Sequence, residues 1–296
     1  MTVPIHAERP RVAVACGCIL GEGPIWDERI RTLYWVDIDG EALWSWRPES
    51  PADARTLPLS ERIGFVLLTT EPETLVLGLK SGLARLSLVG GTPETVLRPE
   101  PDRPGNRLND ACVGPDGSIY FGSLNDTDRR PTGSFYRWSE VGLVRFGESA
   151  IVTNGPAIDA VRRVLYVADS ANGRVYRHAV GSDGTPGPRE DFVTFGPGDG
   201  HPDGLAVDVE GHVWICHFGG ARVTRFTPEG EPALIVPMPT AQVTKAAFGG
   251  PDLSTLFVTT AARGRDRGTD LMAGHLFAVD AGIRGFPAAL SRMGLT

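Results

Sequence analysis

The sequence predicts an all-β protein, a six-bladed β-propeller with four-stranded antiparallel blades around a central channel, and three observations carry that prediction. Short apolar runs of β-forming residues recur at a nearly constant interval. Each is flanked by further runs of the same kind in the same order. The 37 Gly and 24 Pro of the 296-residue chain supply the turns that so many short elements need. The most regular run begins at Leu33-Tyr34-Trp35 and returns at Leu75, Ile119, Leu165, Val213 and Leu256, at separations of 42, 44, 46, 48 and 43 residues. A period of about 40–50 residues with several strands per repeat is what a propeller looks like from sequence.

Each repeat reads as an inner strand, a tight turn, a second strand, a short loop and a third strand. Inner strands are expected from Gly23 (GPIWD), Gly64 (GFVLL), Ala111 (ACVGP), Gly155 (GPAID), Gly204 (GLAVD) and Lys245 (KAAFG), followed by turns such as PDG at 115–117. Third strands are expected from Ala42 (ALWSW), Leu83 (LARLS), Ser134 (SFYRW), Arg174 (RVYRH), Arg222 (RVTRF) and His275 (HLFAV). The outermost strand is the faintest; ARTLPL from Ala54 and ALIVPM from Ala233 are candidates. The last repeat ends one strand short. Residues 11–19 alternate as a strand ahead of the first repeat, so they are expected to pair with the last blade and close the ring, which removes an exposed edge. One propeller domain over residues 1–296 is the resulting organisation. The loops richest in Gly, Pro and charge fall at 98–105, 126–133, 181–200 and 263–274, where sites are often carried or covered.

Composition narrows the function. A net charge of −7 and the lack of a Lys/Arg run argue against nucleic acid and anionic membrane as partners, and no apolar stretch approaches the length of a membrane span. His6, Glu8, Arg9 and Arg11 interrupt the N-terminal apolar character, so a signal peptide is not expected and a cytoplasmic location is. Cys16, Cys18, Cys112 and Cys216 show no paired CxxC spacing and read as buried thiols.

The repeat also supplies a ruler for height along the channel. Glu22, Asn109, Asn154, Asp203 and Lys245 each lie 10 or 11 residues before the second strand of their repeat, at the expected entry to the innermost strand. Five such side chains would converge on one channel mouth, with Ile63, Gly64 and Phe65 of the second repeat as an apolar wall. A concave site with a few convergent polar groups suits a small molecule. Glu22, Asn154 and Asp203 offer two carboxylates and an amide oxygen, hard donors that suit Ca²⁺, Mg²⁺, Mn²⁺ or Fe²⁺ and argue against a structural Zn²⁺ site. Three protein ligands leave positions open, as at a catalytic metal of any kind, Zn²⁺ included. Taken singly, Asn154 before Gly and Asp203 in PDG are ordinary turn residues; their common phase is what singles them out. Arg107 lies two residues from Asn109 and joins it as a candidate ligand contact. His201 and His217 read as surface or structural histidines, and Trp26, Trp35, Trp44, Trp46 and Trp214 as core.

LGEGPIWDERIRTLYWVDI from Leu20, RLNDACVGPDGSIYFGS from Arg107, TNGPAIDAVRRVLYVADS from Thr153, HPDGLAVDVEGHVWICHFGG from His201 and VTKAAFGGPDLSTLFVTTA from Val243 resemble the regucalcin/gluconolactonase (senescence marker protein) family over residues 20–279. The resemblance implies a six-bladed propeller and a metal-dependent sugar lactonase. It implies Glu22, Asn154 and Asp203 as ligands of one divalent ion, with Asp203 also the general base. It implies Arg107 and Asn109 as holders of substrate hydroxyls, and an acid just after FGSLN, which Asp126 matches, with Asn125 as the alternative residue for that position. Lys245 stands where many members have a small hydroxyl residue and resembles some bacterial pentonolactonases, which leaves the substrate open between xylono-, arabino- and gluconolactone. Other classes compatible with the pattern are a calcium-binding regulatory propeller, an NHL-like interaction scaffold, and an arylesterase or organophosphate hydrolase.

Overall fold

A computed structural model describes residues 3–50, 52–127 and 130–295; residues 128 and 129 of the 126–133 loop lie outside the described residues. Six four-stranded antiparallel sheets stand as blades around an axis, and the inner strands of successive blades pack side by side, the first against the sixth. Among the described residues no helix is long and apolar enough to cross a membrane. The ring closes as the sequence suggests: Arg11–Val14 forms the outer strand of the sixth blade, with Arg11 opposite Ala278 and Val12 opposite Phe277. That strand stops well short of residue 19, because Gly17 takes φ +62° and the chain turns toward the first blade, with the Cys18 amide donating to the Gly274 carbonyl.

The second strands are buried on both faces, as in Thr32–Asp37 and Val213–Phe218, because each blade is sandwiched between two others. Leu33, Trp35, Ile119, Leu165, Val213, Trp214 and Leu256 are fully buried. Burying one aliphatic side chain of this size contributes about 1.5–3 kcal/mol, so the repeating runs are also the main source of stability. Trp26 and Trp46 are buried too, Trp26 stacking on Phe257 between the first and sixth blades.

Inner strands start earlier than the sequence suggests, at Gly21, Ile63, Asn106, Thr153, His201 and Val243. The residues expected at a strand entry are therefore inside strands, and each inner strand carries a break in register there: between Glu22 and Ile25, Ile63 and Phe65, Leu108 and Ala111, Asn154 and Ala157, Pro202 and Leu205, and Val243 and Ala246. Such bulges re-aim side chains that would otherwise alternate between the two faces. Here they place polar side chains in the channel without ending the sheet.

Beyond the last blade the chain crosses the face of the ring opposite the bulged strand starts. Gly285 bridges to Asp208, Ser291 bridges to Thr69, and Met293 packs with Phe65 and Leu83.

Candidate active site

A chamber of about 480 Å³ occupies one end of the channel, lined by Glu22, Arg107, Asn109, Asp126, Asn154 and Asp203 among its polar groups. Six of the seven candidate residues thus meet in one cavity of a size typical for small-molecule sites. Its apolar lining comes from Leu20, Ile38, Leu124, Val152 and Phe218 rather than from the second blade. Ile63 is sealed in the core, and Phe65 faces the other end of the channel. The second blade offers no polar group because its neighbour lies too close: a Cβ on Gly64 would come 2.4 Å from the Leu108 carbonyl oxygen and 2.7 Å from that of Asn109.

Glu22 and Asp203 are each only 6% exposed. The one hydrogen bond found for either carboxylate is from the Gly23 amide to Glu22 Oε2, 2.9 Å, and neither is ion-paired among the described residues. Burial, together with the charge of Asp110, pushes Glu22 up to about 8. Burial and then the charge of Glu22 hold Asp203 well above the ordinary carboxylate range. Two buried carboxylates that disfavour each other's ionisation are what a cation between them would relieve.

Asn154 is fixed by a continuous chain of hydrogen bonds. Arg62 and Arg107 grip Asp126 from either side, Nη1 to Oδ2 at 2.6 Å and Nε to Oδ1 at 2.9 Å. Arg107 Nη1 donates to Asn109 Oδ1, and Asn109 Nδ2 donates to Asn154 Oδ1, both at 2.6 Å. Asn154 Nδ2 donates to Ser170 Oγ at 2.9 Å, and Ser170 Oγ donates to the Pro202 carbonyl at 2.5 Å, next to Asp203. Ser170 thereby takes one of the amide's two N–H donors, and Oδ1, which accepts from Asn109, keeps a second lone pair for a ligand. Although burial works to raise Asp126, Arg107 and Arg62 keep it below the usual carboxylate range and thus ionised.

Two carboxylates and an oriented amide oxygen fit a hard divalent cation with open positions. Among the described residues no three His, Cys, Asp or Glu side chains gather as a metal-binding group. His201 lines the mouth and holds the Ser170 carbonyl through Nδ1 at 3.0 Å; His217 is buried against Phe195 and the Asp199 carbonyl.

Lys245 lies apart from this group, and the register explains why. In five blades two bulge residues face one partner; in the first and fourth these are Gly-Pro pairs, and in the others Asn109 and Asp110 face Gly122, Asp203 and Gly204 face Cys216, and Thr244 and Lys245 face Thr259. Thr244 is thus level with Asp203 and Asn109, and Lys245 is one step further along the channel, level with Asp110. The phase count missed this because turn lengths differ between blades. The Lys245 ammonium is buried and bonds the Asp110 carboxylate directly, and both line a separate cavity toward the other end of the channel. Burial opposes the charge on Lys245, yet Asp110 holds it protonated; burial pushes Asp110 up to about 6. Gly204 makes room for the pair, since a Cβ there would lie 2.4 Å from Lys245 Cβ and Cγ. Sequence reasoning overlooked Asp110, Ser170 and Arg62. Asp110 was within reach, as the neighbour of Asn109 in RLND; Ser170 and Arg62 carry no repeat signal.

Known proteins share this fold and much of this sequence. The chain is 33% identical over 249 residues to L-arabinolactonase from Azospirillum brasilense, covering 83% of this chain and 82% of that one. It is 32% identical over 284 residues to pentonolactonase XacC from Haloferax volcanii, covering 93% and 95%. A solved calcium-binding regucalcin from Agrobacterium tumefaciens superposes with a TM-score of 0.92 at 24% identity, over 99% of this chain and all of the other. With residues 20–262 matched by the model of the SMP-30/gluconolactonase/LRE-like region, the chain belongs to that family of propellers, whose similar members include named sugar lactonases.

Proposed function

We propose that the protein is a divalent-metal-dependent lactonase that opens an aldonolactone, a pentono-1,4-lactone or gluconolactone, to the aldonic acid. The observation that carries this reading is the convergence of Glu22, Asn154 and Asp203 with Arg107, Asn109 and Asp126 in one chamber. Glu22, Asn154 and Asp203 would hold the metal, which when bound supplies Lewis-acid polarisation of the lactone carbonyl.

The remaining work falls to the chain itself. Asp203, carboxylate among buried neighbours, accepts the proton of the attacking water at a carboxylate oxygen, and its elevated basicity suits it to hold that proton. Arg107 and Asn109, whose positions are fixed by Asp126 and Asn154, orient the ring hydroxyls so that one face of the ester is presented to the water. Leu20, Ile38 and Phe218 exclude bulk water from the other side. Lys245 acts at a distance: its charge lowers both Glu22 and Asp203, favouring the ionised forms that bind metal and accept protons.

The test is chelation of the purified protein, followed by restoration with Ca²⁺, Mg²⁺, Mn²⁺, Fe²⁺ or Zn²⁺ singly and measurement of acid release from xylono-, arabino-, galactono- and gluconolactone. Restored turnover of at least one lactone is the expected result. Metal binding without turnover of any lactone, ester or phosphoester would replace this reading with that of a calcium-binding regulatory propeller, and phosphotriester or aryl ester turnover alone with that of an arylesterase or organophosphate hydrolase.

A further inference from the structure

The link that closes the ring carries two cysteines. Cys16 follows Arg11–Val14, the outer strand of the sixth blade, and Cys18 precedes Gly21–Asp27, the inner strand of the first. Two fully extended residues span about 7 Å, the outer limit for Cα atoms that a disulfide can join. Gly17 between them takes φ +62°, which glycine adopts without strain, and turns the segment back on itself. Cys16 Sγ and the Cys18 amide accordingly meet at one atom, the Gly274 carbonyl oxygen, at 3.3 Å and 2.7 Å. The two thiols hydrogen-bond each other. The turn is held from two further directions: Arg267 Nη2 donates to the Gly17 carbonyl at 2.7 Å, and the Gly17 amide donates to His275 Nδ1 at 3.2 Å.

The pair is asymmetric. Cys16 is half-buried in a segment whose Ala15 and Ile19 reach the surface, whereas Cys18 is 1% exposed. Four groups hydrogen-bond the Cys16 sulfur: the Cys18 thiol, His275, and the backbone at Cys18 and at Leu276. The Cys18 thiol contributes most; together they outweigh burial and hold Cys16 below the ordinary thiol range. Cys18, bonded to Cys16, buried and close to Asp37, is pushed far above it. The two remaining cysteines differ from Cys16, since burial pushes Cys112 up to about 12 and Cys216 well above the ordinary range. A half-buried sulfur that favours the thiolate, bonded to a second and protonated thiol, is the arrangement of an attacking and a resolving cysteine.

We propose that Cys16-Gly17-Cys18 is a redox-active dithiol, separate from the lactone chemistry, that a small hydroperoxide oxidises to an intramolecular disulfide. The Cys16 thiolate attacks the peroxide: an S–O bond forms, the O–O bond breaks, and the departing oxygen takes a proton and leaves as water or an alcohol. Cys18 then gives up its proton and its sulfur attacks Cys16: the S–S bond forms, the S–O bond breaks, and the hydroxyl leaves with that proton as water. Two electrons pass from the thiols to the peroxide, and a small external dithiol returns the pair to its reduced form. A half-buried sulfur admits an oxidant of this size and not the disulfide of another protein.

Hydrogen peroxide is the probe, added in slight excess at pH 7 to the purified full chain with Ca²⁺ present, and peptide mass mapping follows each cysteine over time. A Cys16–Cys18 disulfide, about 2 Da lighter than the dithiol, is expected to form at least about tenfold faster than Cys112 or Cys216 oxidises, and dithiothreitol should reverse it. In Cys18→Ser, Cys16 should stop at the sulfenic acid, which dimedone labels; in Cys16→Ser, Cys18 should react no faster than Cys112. Comparison of the four cysteines within the parent chain needs no variant, so it stands even if either substitution fails to fold. The proposal is overturned if Cys16 and Cys18 are still reduced once the methionines have oxidised, if all four thiols oxidise at equal rates, if either cysteine pairs with a different partner, or if dimedone leaves Cys16 of the Cys18→Ser variant unlabelled.

Discussion

Lys245→Met separates the role of the buried pair from that of the chamber above it. The ammonium is buried against Asp110, and Met keeps most of the side-chain length while removing the charge. Asp110 would then be a buried carboxylate without its cation, and removing one partner of such a pair costs about 3–5 kcal/mol. For a chain of this size each kcal/mol shifts the melting temperature by roughly 2–4 °C, so a loss of about 6–20 °C is expected at pH 7.5. Asp110 already sits at about 6 with Lys245 present, and without it burial drives the carboxyl higher still. A carboxyl raised in the folded state binds its proton more tightly than the unfolded chain does, so stability falls as pH rises from its ordinary value near 3.8 through the raised one. The variant should therefore recover part of its deficit at pH 5.5, where Asp110 takes up a proton. Adding Asp110→Asn to Lys245→Met should restore most of the stability at pH 7.5, because no unpaired charge is left. Differential scanning calorimetry of the parent and both variants at both pH values measures all of this. A Lys245→Met deficit below about 1 kcal/mol, or a double variant no better than the single one, would refute the reasoning that the pair is charged and mutually dependent.

The same sign logic applies to the ligand set: Glu22 is raised to about 8, so metal-free protein should lose stability from pH 6 to pH 8, by up to about 2.7 kcal/mol, and saturating divalent metal should flatten the loss; thermal melts with and without chelator check this. Asp203→Asn should lower kcat on the best lactone by about 10²–10⁴ and leave weakened metal binding, measured by steady-state kinetics and metal titration. Ser170→Ala releases the Asn154 amide and should weaken metal affinity by about 10–100-fold, with kcat largely restored at saturating metal. Gly64→Ala should cost about 1–3 kcal/mol in chemical denaturation, because its Cβ meets backbone carbonyls that cannot rotate away.

Which parts of this molecule could be read from the chain follows from what its repeat encodes. The second strands are buried on both faces, so their apolar runs announce themselves, and blade number and ring closure follow from counting them. Outer strands such as Glu94–Leu97 and Pro186–Thr194 are largely exposed and under no such constraint, so their apolar pattern is faint; of the two suggested near Ala54 and Ala233, Arg55–Pro58 is itself exposed throughout. The site is legible for the same reason as the fold, and it fails at the same scale. Phase counting brings Glu22, Asn109, Asn154 and Asp203 to one height because a backbone repeat fixes Cα positions to within about one residue. One residue is the size of its error, and in a bulged strand one residue separates the lactone chamber from the layer beneath. Thr244, not Lys245, is level with Asp203, and Lys245 finds Asp110 across the channel, 135 positions away in sequence. Asp126 sits on a long loop with no repeat phase; family likeness pointed to it, and Arg62 and Arg107 hold it at the chamber. Strand period thus determines which residues line the channel, whereas bulge register determines which of two chemistries each one serves. A substitution that shifts the 244–245 bulge by one residue would exchange a hydroxyl for an ammonium beside Asp203, and with it the charge available to an incoming ligand.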